Sequence, residues 1–157
     1  MRASDKTMTE YLARHPTFDG LAPEHVALIA SYAKLVTYEA GRRLFVRDEE
    51  AREFFIVREG RVTVGVPSIE GESLEIQTVG EGSMLGWSWL IPPYRWSFDA
   101  QAITETTVLA VDGEKLRDAC ERDLKLGYEL MKRFALLMAK RLNAARMAAI
   151  RQYASGI

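Results

Sequence analysis

The stretch YEAGRRLFVRDEEAREFFIVREGRVTV, Tyr38 to Val64, decides the fold of this chain. Its apolar residues recur with the two-residue period of strands, and small or polar residues break the runs. AKLVTYEAG reads as a strand that ends in a turn at Glu39-Ala40-Gly41. RRLFVRD, Arg42 to Asp48, is a second strand, DEEA a polar loop, and REFFIVREG a third strand closed by Gly60. RVTVGV alternates, with Val62, Val64 and Val66 on one side and Arg61 and Thr63 on the other. Downstream, PSIEGES reads as a loop, LEIQTVG as a strand, and Gly80 and Gly82 as a turn. FDAQAIT and TTVLAVDG are two further strands. Seven or eight short strands separated by turns predict a sandwich or a roll.

Helices flank the strands. TMTEYLARHP places Met8, Tyr11 and Leu12 on one face and stops at Pro16. GLAPEHVALIASYA starts near Pro23 and carries Val26, Ile29 and Ala30 on one face. GEKLRDACERD is a short helix, and LKLGYELMKRFALLMAKRLNAARMAAIRQYA is a long one. In the long helix Ala135, Met138, Leu142, Ala145 and Ala149 are spaced 3, 4, 3 and 4 apart. That is a coiled-coil seam with small residues that allow close approach. Such a seam fits a homodimer through the C-terminal helix; the alternative is that the helix packs on its own roll. The chain thus reads as a single domain over 1–157, with N-terminal helices at 5–33, a β-roll at 34–112 and C-terminal helices at 113–153.

Composition narrows the function. The 157 residues are 48% hydrophobic with a formal net charge of −1, ordinary for one globular domain and without a basic field for nucleic acid. One cysteine and two histidines are too few for a structural zinc site or an iron–sulfur centre. A single cysteine makes no internal disulfide, which points to a cytoplasmic protein. Cys120 lies among acidic neighbours in RDACERD, a poor setting for a reactive thiol. His15 and His25 sit in the N-terminal helices and give no ligand pattern. There is no signal peptide and no apolar run of about 18 residues, so no membrane association is expected. No nucleophile–base motif or phosphate loop is present, and the protein is not expected to be an enzyme or to need a cofactor.

Helices, a glycine-punctuated roll and a long helix, in that order, resemble the cyclic-nucleotide-binding domain of the catabolite-activator (Crp/Fnr) family. FDGLAPEHVALIA resembles the family's opening helix. The stretch from Tyr38 to Val64 resembles its first four strands, with Gly41 and Gly60 at the turns, and VGEGSMLG resembles the lead into its phosphate-binding cassette. The resemblance covers roughly residues 15 to 150. It implies a mainly β fold, a jelly-roll-like β-roll with flanking helices, and a regulatory role. The family's transcription factors carry a helix-turn-helix domain after the long helix. This sequence ends at RQYASGI, so the expectation is a stand-alone module that does not bind DNA and acts through an effector protein.

At the cassette the sequence departs from the family. The resemblance implies a glutamate for the ribose directly after the glycine, and an arginine for the cyclic phosphate about ten residues on. Gly86 keeps the glycine, but Trp87 takes the glutamate's place and Trp96 the arginine's. Arg95 is adjacent, and could replace the arginine only through a bulge, because neighbouring strand residues face opposite sides. The adenine-binding Thr-Ser pair of the long helix corresponds to Ala145 and Arg146. Ordinary cAMP recognition is therefore not expected, although a sensor with Arg95 on the phosphate stays open. Met84 to Ala102 holds all three tryptophans of the chain, beside Pro92-Pro93. Two readings follow. Trp87, Trp89, Trp96 and Phe98 fill the vacated pocket and leave a ligand-free protein-interaction module. Or they wall a reshaped pocket for another small molecule, with Ser88, Arg95, Ser97, Asp99 and Arg146 as its polar groups and Gly86 and Leu90 in its frame.

Overall fold

The computed structural model describes residues 3–67 and 73–155. Helix α1 (Ala3–Arg14), a 3-10 turn (Pro16–Phe18) and helix α2 (Pro23–Ser31) lead into eight strands. These are β1 (Ala33–Tyr38), β2 (Arg43–Phe45), β3 (Glu53–Glu59), β4 (Val62–Pro67), β5 (Ser73–Val79), β6 (Met84–Leu85), β7 (Asp99–Ala102) and β8 (Thr106–Asp112). Helices α3 (Gly113–Arg122) and α4 (Leu124–Ser155) close the chain. The strands form two four-stranded antiparallel sheets, ordered β1-β8-β3-β6 and β2-β7-β4-β5. This is the expected roll with its flanking helices.

The first sheet is covered on both faces, which explains the continuous apolar runs FFIV and VLAV at its centre. Phe54 and Ile56 of β3, with Leu109 and Val111 of β8, face α1, α2 and α4 in one core. Phe55 and Val57, with Val108 and Ala110, face the second sheet in another. The alternation of strand side chains thus divides one hydrophobic run between two cores. In β4, Val62 and Val64 are buried as predicted. The side chain of Val66 lies outside the described residues, as does most of the expected PSIEGES loop, residues 68–72.

The second strand is shorter than its sequence suggests. RRLFVRD stops pairing after Phe45 because the Arg47 N–H goes to the Asp99 carboxylate at 2.7 Å and the backbone turns at Asp48, φ 73°. Helix α4 lays Leu126, Leu130 and Phe134 on the roll, all fully buried. Its apolar seam is centred on another face, with Ala135, Leu142 and Ala149 exposed and Met138 and Ala145 half-buried. The helix thus both packs on its own roll and leaves part of the seam open. Among the described residues no helix is long and apolar enough to cross a membrane.

The N-terminal helices are tied to the roll by His15. Its Nδ1 accepts the Thr17 N–H at 3.2 Å, and its Nε2 donates to the Gly82 carbonyl at 2.7 Å. That pairing needs the neutral ring, and burial lowers the imidazole pKa from its usual 6.5, against the opposing pull of the Gly82 bond. The unfolded chain therefore binds more protons than the folded one below about pH 6.5, and stability falls as the pH drops through that point. Urea unfolding at pH 7.5 and pH 5.5 should show a lower midpoint at pH 5.5. The slope from this residue is at most about 1.4 kcal/mol per pH unit, and His15→Gln should flatten it. An unchanged slope in that variant would place the sensitivity elsewhere. The exposed Asp123, held below the usual carboxylate range mainly by His25, acts in more acidic solution.

Candidate functional site

The cassette does not form a helix among the described residues. After β6 the chain turns at residues 88–90, passes the cis Pro92-Pro93 bond, is extended at Arg95 and Trp96, and bends at 97–98 before β7. Leu90 N–H meets the Trp87 carbonyl at 3.0 Å and Tyr94 N–H meets that of Ile91 at 3.0 Å. The exit zips antiparallel to the loop between β2 and β3. Ala51 N–H bonds to the Tyr94 carbonyl at 2.8 Å, Asp48 N–H to that of Trp96 at 2.9 Å, and Trp96 N–H to that of Glu49 at 3.0 Å.

Because this exit is strand-like, Arg95 and Trp96 face opposite sides. Trp96 goes inward. It stacks on Phe45 with ring centroids 3.8 Å apart and planes 14° apart, and lies 6.3 Å from Phe55. Arg95 goes outward, exposed, and donates to the Asp48 carbonyl at 2.7 Å. Gly86 makes the inward packing feasible. At φ 101° it would place a Cβ 2.7 Å from the Trp96 ring, a clash with a large rigid side chain.

Trp96, Phe45, Leu85, Gly86, Trp87, Ser88, Ser97 and Phe98 line a small cavity, with Val64 and Gln77 from the second sheet and Arg141 and Ala145 from α4. Trp87 meets Phe98 edge-on at 5.9 Å and 80°. The space left is ≈ 30 Å³, room for about two water molecules. The walls are almost wholly apolar. The charged group is Arg141, half-buried, which donates to the Met84 carbonyl at 2.6 Å. Burial lowers its pKa from the ordinary arginine value.

The structure therefore gathers Gly86, Trp87, Ser88, Trp96, Ser97 and Phe98 at one cavity and places the other candidates elsewhere. Trp89 and Leu90 belong to the core on the other side of the first sheet. There Trp89 is fully buried, stacked on Phe54 at 5.2 Å and edge-on to Phe134 at 5.2 Å. Gly113 allows this, since a Cβ there would meet the Trp89 Cβ at 2.7 Å. Asp99 is buried and accepts from Arg47, away from the cavity lining. Arg146 is exposed, and its neighbour Ala145 lines the cavity instead. Arg141 is one helical turn before Ala145, so the i, i+4 spacing from that residue would have pointed to it. Phe45, Val64 and Gln77 come from distant segments and had no local signal, while Leu85 sits beside Gly86 in the cassette lead that the sequence already marked. Cys120 is buried, and its thiol is pushed up to about 11 by desolvation and acidic neighbours, as expected of an inert cysteine.

Comparison with known proteins agrees with this architecture. Residues 35–123 match the family model for the cyclic nucleotide-binding domain. The Cyclic AMP receptor protein of Thermus thermophilus is 28% identical over 130 residues, covering 83% of this chain and 58% of the relative. The solved Thermus thermophilus Catabolite Activator Protein aligns at 28% identity with a TM-score of 0.68, covering 88% of this chain and 63% of that one. A candidate cyclic nucleotide-binding protein of Geobacter metallireducens aligns with a TM-score of 0.75 at 25% identity, covering 90% of this chain and 99% of its own. The chain spans 58–59% of the length of the first curated relatives it matches. With the family model matched over more than half its residues, the chain belongs to the cyclic nucleotide-binding domain family.

Proposed function

We propose that this chain is a regulatory domain whose phosphate-binding cassette is altered, and that it does not take cAMP in the family's usual way. One observation carries the reading: the Trp96 indole lies in the cavity, stacked on Phe45 at 3.8 Å. The position that the resemblance assigns to a phosphate-binding arginine is thus filled by an uncharged ring. Trp87 stands in the same way for the ribose-binding carboxylate. A site that reads a ligand through buried hydrogen bonds loses affinity steeply when those groups are absent. Arg95 offers no replacement, because it lies on the outer side of the extended segment, on the Asp48 carbonyl.

Isothermal titration of cAMP and cGMP into the full chain tests this, and no heat of binding is expected for either. Micromolar binding of cAMP would overturn the reading and make the domain an ordinary cyclic-nucleotide sensor.

The output is a protein contact rather than catalysis, and its first partner is a second copy of the chain. The spacing of 3 and 4 that joins Ala135, Met138, Leu142, Ala145 and Ala149 continues upstream through Met131, Tyr128 and Leu124. Leu124, Tyr128, Met131 and Leu142 are 77%, 65%, 45% and 60% exposed, a continuous apolar row on an otherwise solvated helix face. Over 124–149 this row runs roughly 38 Å at ~1.5 Å per residue. A heptad row of that length is covered in solution by a matching helix. A cytoplasmic location fits this regulatory role.

A further inference from the structure

We propose that Arg141 makes the cassette cavity a receptor site for a small monocarboxylate with a short apolar tail. The inference rests on the reading above that a cyclic nucleotide is not the ligand, and it names a different one for the same cavity.

The argument begins with partners. A guanidinium carries five N–H donors. Arg141 gives one to the Met84 carbonyl, and among the described residues no carboxylate pairs with it and no other acceptor takes its remaining donors. Several arginines nearer the helices are engaged, and those left free on the roll among the described residues, such as Arg42 and Arg43, are exposed and lie away from the cavity lining. Arg52 holds Glu50 and Glu114, and Arg133 holds Glu129 and the Thr17 and Asp19 carbonyls. Arg117 donates to the Trp89 carbonyl and lies over the Tyr94 ring.

Surroundings and size select the ligand. Arg141 borders a cavity walled by Phe45, Trp87, Trp96 and Phe98. A cation that is partly desolvated and unpaired there gains from an incoming anion, because charge-assisted hydrogen bonds strengthen where water is scarce. A planar carboxylate matches the guanidinium fork. The aromatic walls offer little to a second charge, which disfavours phosphate, and suit an alkyl tail. The ≈ 30 Å³ of free space, about two waters, is less than propionate needs, so a ligand must be compact and must displace the Trp87 or Trp96 ring to enter. The position also has an output, since Ala145, one turn along α4, lines the same cavity and lies on the helix's apolar seam.

The test is isothermal titration of acetate, propionate and inorganic phosphate, with cAMP alongside, into the full chain. The expected result is one propionate bound per chain, in preference to phosphate. Affinity should drop at least about tenfold in Arg141→Gln, from the loss of charge-assisted hydrogen bonds, and stay unchanged in Arg95→Gln. Should Arg141→Gln not fold, nuclear Overhauser contacts from the propionate methyl protons to the Trp96 ring in the unaltered chain decide the matter. Silence with every carboxylate, tighter binding of phosphate, undiminished affinity in Arg141→Gln, or methyl contacts far from Trp96 would each overturn the inference. If cAMP and the carboxylates are all silent, only this inference fails. If cAMP binds, the reading beneath it fails.

Discussion

Trp96→Ala should cost about 3–5 kcal/mol of folding stability and empty the centre of the cassette. The indole is only 6% exposed and is the largest ring in the core between the two sheets. It joins Phe45 and Phe55, one from each sheet, and backs onto Gly86, whose missing Cβ makes room for it. An alanine leaves a void that these neighbours cannot close, because Phe45 and Phe55 are fixed by their strands and Gly86 by its left-handed backbone. Chemical denaturation should show a lower midpoint with an unchanged denaturant slope, the mark of a stability change without a change in the surface exposed on unfolding. Trp96→Phe should recover part of the loss. A cost below about 1 kcal/mol would mean that the ring is not the wedge between the sheets. The same variant separates blockage from chemistry. Trp96→Ala enlarges the cavity but supplies neither a carboxylate for a ribose nor an arginine for a phosphate. It should therefore remain silent to cAMP. Binding in this variant alone would show that bulk was the only barrier.

The division of the aromatic segment was the least legible part of the sequence. The strands could be read from their period, and the turns from Gly41 and Gly60, which the structure places at φ 90° and φ 105°. Both signals are local. At Gly41 the backbone alone enforces the turn, whereas Gly60 is also required because a Cβ there would lie 2.7 Å from the Glu105 carbonyl. Trp87 and Trp89 are two residues apart, and a strand would put them on one side. The turn at 88–90 instead leaves Trp87 half-buried, lining the cavity and edging the helix-side core, and sends Trp89 fully into that core. That choice depends on Gly113 and Phe134, far along the chain, which leave a slot for the indole. The helix posed a similar problem. Its apolar seam is written in the sequence, but the facing of Arg141 and Ala145 toward the cavity, with Arg146 turned to solvent, depends on the helix's rotation against the roll. Leu126, Leu130 and Phe134 set that rotation by packing under it. The opposite facing of Arg95 and Trp96, in contrast, follows from the strand period once the exit is known to be extended.

Leu142→Glu should convert a dimer into a monomer. Leu142 is 60% exposed in the single chain and is the central residue of the seam from Ala135 to Ala149. In a symmetric pair of parallel helices such a position faces its own copy. A glutamate there would bury two like charges against each other, with no cation on the seam to offset them. Like charges so placed cost several kcal/mol, enough to raise the dimer dissociation constant by at least about a hundredfold. Sedimentation equilibrium measures this directly. Met147→Glu is the control, since Met147 is 46% exposed and lies on the same helix away from the seam. It adds the same charge and should leave the dimer intact. A monomeric unaltered chain, or equal weakening by both variants, would remove α4 as the interface. The pairing also bears on the cavity, because Ala145 belongs to the seam and to the cavity wall at once. A ligand held by Arg141 would press on the same turn of helix that meets the second chain. Occupancy would then shift the dimer equilibrium by the difference in the ligand's affinity for the two packings.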